Sequence, residues 1–164
     1  MKNTYIPTPG PTLNPKWTRR NRFIATMIPE QMSILDLGCG SKDLLRYIKS
    51  PKKYLGVDYN QPLADLSINF NNKFSLPTDS WDYIICSGLL EYLLDVDNFF
   101  KQITHNSQSY IFTFYKPYSN RQRLKNPNTI KSVADFEKIL NANFQIVQIE
   151  ELTNHFVYMC KDNV

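Results

Sequence analysis

Hydrophobic positions in this chain alternate between short solid runs and stretches with helical spacing. Ser33-Ile34-Leu35-Asp36-Leu37, Tyr54-Leu55-Gly56-Val57-Asp58, Trp81-Asp82-Tyr83-Ile84-Ile85-Cys86-Ser87 and Ser109-Tyr110-Ile111-Phe112-Thr113-Phe114-Tyr115 are too apolar for edge strands and predict four buried ones. Asn14-Pro15 is a good helix start, and Trp17, Ile24 and Ile28 share a face up to the stop at Pro29, leaving Arg19 and Arg22 toward water. Leu44, Leu45 and Ile48 predict a further helix over 42–50. Val96, Phe99, Phe100 and Ile103 follow i, i+3, i+4, i+7 behind Asp95 or Asp97, acids that suit a positive helix start. Ser132 and Asp135 form a capping-box-like start for Val133, Phe136, Ile139 and Leu140. Two closing strands, 144–151 and 156–161, lie near enough in sequence to pair antiparallel.

Strands alternating with helical crossovers and ending in a hairpin predict a three-layer α/β fold: a mainly parallel sheet, covered on both faces, with an antiparallel C-terminal strand. A length of 164 residues suits one domain, taken as 14–164, behind an irregular arm over 1–13 that contains Pro7, Pro9 and Pro11. The arm has no apolar core of a secretory signal, and no run approaches the roughly 18 apolar residues that span a bilayer, so a soluble, cytoplasmic protein without membrane contact is expected. Cys39, Cys86 and Cys160 form no CxxC pair and are expected to be reduced and packed. His105 and His155 are isolated and lack a second ligand at metal spacing, which points to surface or structural roles and to no metal. The net charge of +4 draws on Arg19, Arg20, Arg22, Arg121, Arg123 and Lys125, read either as solvated faces or as contacts for an anionic partner.

The chemistry concentrates in Ile34-Leu35-Asp36-Leu37-Gly38-Cys39-Gly40-Ser41-Lys42. Glycines at the carboxyl end of a first strand let the backbone turn sharply and approach a nucleotide-like ligand closely. Asp58 follows Gly38 by 20 residues at the end of the next strand, where a carboxylate can accept from a ribose diol. Asp43 occupies the third glycine position of G-x-G-x-x-G, where it would repel a pyrophosphate, and no Gly-Lys-Ser/Thr of a Walker loop follows. An adenosine-containing ligand without phosphate remains, and Asp36 is placed to face a positive amino acid moiety.

These residues resemble the class I S-adenosylmethionine-dependent methyltransferases, whose first motif is an acid followed by glycine-x-glycine, here Asp36-Leu37-Gly38-Cys39-Gly40. Leu55-Gly56-Val57-Asp58 is similar to the family's second motif, and the stretch from Trp81 to Leu93 to its fourth-strand motif. The resemblance covers most of the chain and implies a Rossmann-like methyltransferase fold with S-adenosyl-L-methionine as cofactor. It further implies that Gly38 and Gly40 hold the methionine portion, Asp58 the ribose, Asp65 or Asn69 the adenine edge, and that Ser87 lines the cleft. Two departures mark a compact bacterial member: Lys42 replaces the family's third glycine, and the link from Asp58 to Asp65 is too short for the usual helix. Methyl transfer from a sulfonium needs placement and exclusion of water more than a dedicated base. If a base acts, Glu91, Tyr92, Tyr115 and Tyr118 are the polar groups near the strand ends, with Tyr92 and Tyr115 favoured. The loop over 116–131 is read as a lid or a plain surface loop, with Arg121 and Arg123 placed to meet a substrate carboxylate or phosphate. The expected acceptor is a small molecule or biosynthetic intermediate. RNA or protein methylation, and a non-catalytic cofactor-binding subunit of a larger assembly, are the alternatives.

Overall fold

A computed structural model describes residues 15–59, 62–116, 130 and 132–163. Seven strands, β1 (Ser33–Leu37), β2 (Lys53–Asp58), β3 (Leu66–Ser67), β4 (Trp81–Cys86), β5 (Ser107–Tyr115), β6 (Phe144–Glu151) and β7 (His155–Asp162), form one sheet in the order β3-β2-β1-β4-β5-β7-β6. The five strands from β3 to β5 run parallel, and β7 pairs antiparallel with both β5 and β6. The chain walks outward from β1 through β2 to β3, then returns to the other side of β1 for β4. Such a reversal opens a crevice at the carboxyl ends of β1 and β4, where α/β sheets take their ligands.

Alternation along each strand feeds two cores. Leu35, Ile84, Tyr110, Phe112 and Tyr158 point to one face, covered by α2 (Val96–Ile103) and α3 (Val133–Asn143). Phe100 sits centrally there, its ring 4.8 Å from Phe112 and 5.4 Å from Phe144. Ile34, Ile85, Ile111 and Val157 point to the other face, covered by α1 (Pro15–Thr26) and a short turn carrying Leu44 and Ile48. The helix starts act as their sequences require: Asp95 accepts from the Asn98 N–H and Ser132 from the Asp135 N–H. The expected three-layer arrangement and terminal hairpin are therefore present.

Two expectations fail locally. Instead of a helix over 42–50 there is a single 3-10 turn, Asp43–Arg46. Lys42 is left-handed at φ 59 and Ser50, before Pro51, has φ 42, so neither end can continue a right-handed helix, and Tyr47 closes the turn by donating to the Leu44 carbonyl. Leu44 still reaches the core from this turn, and Ile48 from just after it. In α1 the expected burial of Trp17 is also not found, since it is 45% exposed. The inward face is instead made by Arg20, Asn21 and Ile24. Arg19 and Arg22 do face water, Arg22 lying over the Tyr47 ring at 5.5 Å.

The three cysteines are free and buried, and burial pushes the Cys160 thiol up to about 12. No helix among the described residues is long and apolar enough to cross a membrane.

Candidate cofactor cleft

The loop after β1 is shaped by backbone constraints. Gly38 has φ +78, and a Cβ there would lie 2.8 Å from Leu89 Cβ, so glycine is required both for the left-handed turn and for the approach of the segment after β4. The N–H groups of Gly38 and Cys39 both donate to the Val57 carbonyl, at 2.7 and 3.1 Å, which ties the loop to the end of β2. Gly40, at φ +52, has nothing within 4 Å of where its Cβ would stand. That backbone borders open space.

Asp58 ends β2 and bends back to this loop. Its Oδ2 accepts from the Gly40 N–H at 2.7 Å and its Oδ1 from the Tyr59 N–H at 2.6 Å. Each carboxylate oxygen keeps a further lone pair, so the orientation set by these two donors leaves acceptors for a diol. Burial raises the Asp58 carboxyl above the usual range, opposed by the two N–H bonds. Asp36, 2% exposed, accepts from the Tyr54 hydroxyl at 2.5 Å. Burial pushes it up to about 6, against the opposing influence of the Tyr54 hydroxyl and the Arg20 charge.

Lys42, at the family's third glycine position, takes the left-handed conformation that a glycine would adopt freely. Its ammonium pairs with Asp65, which also accepts from the Gly56 N–H at 2.8 Å. The Lys42 bond, with the Gly56 N–H second, holds the Asp65 carboxyl below the usual range. Gly56 makes room for this clip, because a Cβ there would come within 2.8 Å of Cys39 Sγ and 3.1 Å of Lys42 Cε. Asp65 thus closes the loop against β2. Asn69, the alternative adenine contact, accepts through Oδ1 from the Asn71 N–H at 3.0 Å.

Ser87 follows β4 directly, and its Oγ is buried with no hydrogen-bond partner among the described residues. Tyr92 ends a 3-10 turn, Leu90–Tyr92, and is 52% exposed. Tyr115 stands at the end of β5 with its ring 5.1 Å from that of His155. Tyr118, Arg121, Arg123, Lys125 and the 1–13 arm lie outside the described residues.

Sequence reasoning missed Arg20. It is 7% exposed, and its Nη1 would be 2.9 Å from a Cβ on Gly88, whose φ of +78 permits that approach. Burial lowers its pKa, while Glu91 first, and then Asp36 and Tyr92, favour its charge. The signal was present: Arg20 lies three residues after Trp17 and four before Ile24, on the inward stripe. His155 was likewise read as isolated, yet it is 3% exposed and its Nε2 lies 3.5 Å from Arg20 Nη1.

A glycine loop at a sheet switch point, held by the acid of the next strand, defines the class as an α/β domain built for a nucleoside-containing cofactor. The methyltransferase domain family model matches residues 13–126 of the 164, and the chain belongs to that family. An uncharacterized protein of Methanocaldococcus jannaschii is 28% identical over 131 residues, which cover 68% of this chain and 35% of that one. The chain thus spans about a third of the length of that relative. S-adenosylmethionine-dependent methyltransferases of Mesorhizobium loti and Aquifex aeolicus share the fold. The first has a TM-score of 0.64 at 17% identity over 85% of this chain and 95% of the other. The second has 0.66 at 15% over 93% and 100%.

The residues present fit the cofactor. Open space beside Gly40, an unpartnered buried hydroxyl on Ser87 and a carboxylate already aimed by the Gly40 N–H are what a ribose and an amino acid moiety require.

Proposed function

We propose that this chain transfers a methyl group to a small molecule or biosynthetic intermediate. The observation that carries the reading is the hydrogen bond from the Gly40 N–H to Asp58, which joins the glycine loop and the ribose acid into one preformed cradle. Asp58 accepts from the ribose diol, the Gly38 to Gly40 backbone borders the methionine portion, and the Asp36 charge faces its α-ammonium. Ser87 donates to the cofactor from the end of β4. Asn69, whose amide can donate to and accept from a base edge, suits adenine better than Asp65, whose charge is committed to the Lys42 ammonium. S-adenosyl-L-methionine supplies an electrophilic methyl on sulfur. The protein's part is to hold the acceptor in line with it and keep water out, with Tyr92 and Tyr115 as the polar walls of that space.

Release of S-adenosylhomocysteine, followed with separate pools of small metabolites, RNA and protein as acceptors, tests the reading. Stimulation by the small-molecule pool supports it. Stimulation by RNA alone, falling steeply with salt, replaces it with a nucleic-acid acceptor. Turnover only beside a second chain replaces it with a subunit of a larger enzyme.

A pH dependence follows from Asp36. With a carboxyl raised from the usual 3.8 to about 6, its ionised form is disfavoured in the folded state, so its contribution to stability is largest below 3.8 and is lost as pH rises through 6. Cofactor binding needs the opposite form. S-adenosylhomocysteine affinity is expected to fall below pH about 6, approaching tenfold per unit, while Asp36→Asn binds weakly at every pH. Calorimetric titrations from acid to neutral pH check this, and a flat wild-type profile would remove Asp36 from the site.

A further inference from the structure

A cavity of ≈ 200 Å³ lies between the first turns of α1 and the β6–β7 connection. Lys16, Arg19, Arg20, Thr153, Asn154 and His155 line it, and none of the described lining residues is acidic. Lys16 and Arg19 are exposed at the rim, whereas Arg20 is buried. Arg19 Nη1 donates to Thr153 Oγ1 at 2.8 Å and so ties the two walls together. Lys116, at the end of β5, adds charge nearby while pairing with Glu151 at 2.5 Å. Two of its lining side chains extend toward the carboxyl ends of β4 and β5: Arg20 passes beside Gly88 after β4, and the His155 ring lies 5.1 Å from that of Tyr115.

We infer that this cavity binds an anionic group of the methyl acceptor, a carboxylate or a phosphate, and so fixes the acceptor's orientation beside the carboxyl ends of β4 and β5. The inference rests on the methyltransferase reading and adds the chemical class of its substrate. Guanidinium and ammonium groups around a half-open cavity with no acid among its described lining residues attract a compact anion, and the planar forks of Arg19 and Arg20 suit two oxygens of one such group. Among the described lining residues Lys16 and Arg19 stand at the surface and Arg20 is buried, a depth that suits one compact anion better than a long polyanion. The size of the cavity favours a single charged group on a small acceptor.

His155 reports occupancy. Burial, with the charges of Arg20, Lys116 and Lys16, holds its imidazole down at about 4, so it is neutral at pH 7. A bound anion offsets those charges and alters the ring environment. His105, the other histidine of the chain, has its side chain 78% exposed beside Asp162 and serves as the control.

The test follows the ring protons of both histidines by NMR in the full chain saturated with S-adenosylhomocysteine, titrated at constant pH with inorganic phosphate and, separately, acetate. The expected result is a saturable shift of His155 alone, with the stronger probe distinguishing phosphate from carboxylate, and a loss of affinity of about tenfold in the Lys16→Gln/Arg19→Gln double variant. Both substitutions are at exposed positions, so folding and S-adenosylhomocysteine affinity should be retained. No His155 shift, or equal shifts in the double variant, overturns the proposal. A shift seen only without S-adenosylhomocysteine assigns the cavity to the cofactor, and a response to oligonucleotides alone assigns it to nucleic acid; either result also overturns it. Failure of S-adenosylhomocysteine to bind is a separate outcome that removes the underlying methyltransferase reading and the acceptor assignment with it.

Discussion

Gly38→Val is expected to destabilise the domain by about 2–6 kcal/mol and to abolish cofactor binding. Two independent effects combine. A β-branched residue at φ +78 carries backbone strain of about 1–3 kcal/mol, and its Cβ would stand 2.8 Å from Leu89 Cβ, an overlap of the kind that costs about 1–3 kcal/mol in a packed region. The loop cannot shift freely to relieve this, because the N–H groups of Gly38 and Cys39 are both committed to Val57. Denaturant unfolding measures the first effect and S-adenosylhomocysteine titration the second. Adding Leu89→Gly, which removes the Cβ that a side chain at position 38 meets, should restore only the part due to overlap, since the backbone strain remains. Full recovery would show that the left-handed conformation at Gly38 is not needed.

Asp58→Ala is expected to weaken S-adenosylhomocysteine binding by about a hundredfold while leaving the core intact. Loss of charge-assisted hydrogen bonds to a diol is worth about 3 kcal/mol, and each 1.4 kcal/mol is about a factor of ten. The substitution also frees the N–H groups of Gly40 and Tyr59, which water can satisfy at the open edge of the loop. Asp58→Asn should recover little, because its amide nitrogen presents a donor where a diol or a backbone N–H needs an acceptor. By contrast, Asp65→Ala is expected to act through Lys42 and loop rigidity, with a smaller change in affinity. An Asp65 effect as large as that of Asp58 would place it in contact with the cofactor.

These contrasts show which parts of the site were legible in the sequence. Strands such as Ser33–Leu37 and Trp81–Cys86 were readable because strands buried on both faces of a parallel sheet are nearly continuous apolar runs. The glycines after β1 and the acid ending β2 were readable because few side chains can do either task. The 42–50 segment was not, because apolar spacing alone carries no sign of the left-handed Lys42 or of the positive φ at Ser50. Arg20 was passed over when the α1 face was traced through its apolar members alone, although its phase put it inside. The contacts of Leu89 with Gly38, of Lys42 with Asp65 and of His155 with Arg20 join positions far apart in the chain, and local patterns do not encode such pairs. Together they explain how a short loop with lysine in a glycine's place still closes over β2.

The departure at Lys42 also has a functional side. A lysine in the first loop would repel the sulfonium and ammonium charges of the cofactor if it pointed into the cleft, and the Asp65 partner, with Gly56 clearing space beneath it, holds the ammonium on the β2 side instead. The clip therefore does two things at once: it neutralises the extra cation and pins the loop.

The most direct test of the account is calorimetric titration of the intact chain with S-adenosylhomocysteine at neutral pH. The account predicts saturable binding at one site, in the micromolar range of affinity, about 8 kcal/mol. A folded protein that gives no saturable binding would contradict it.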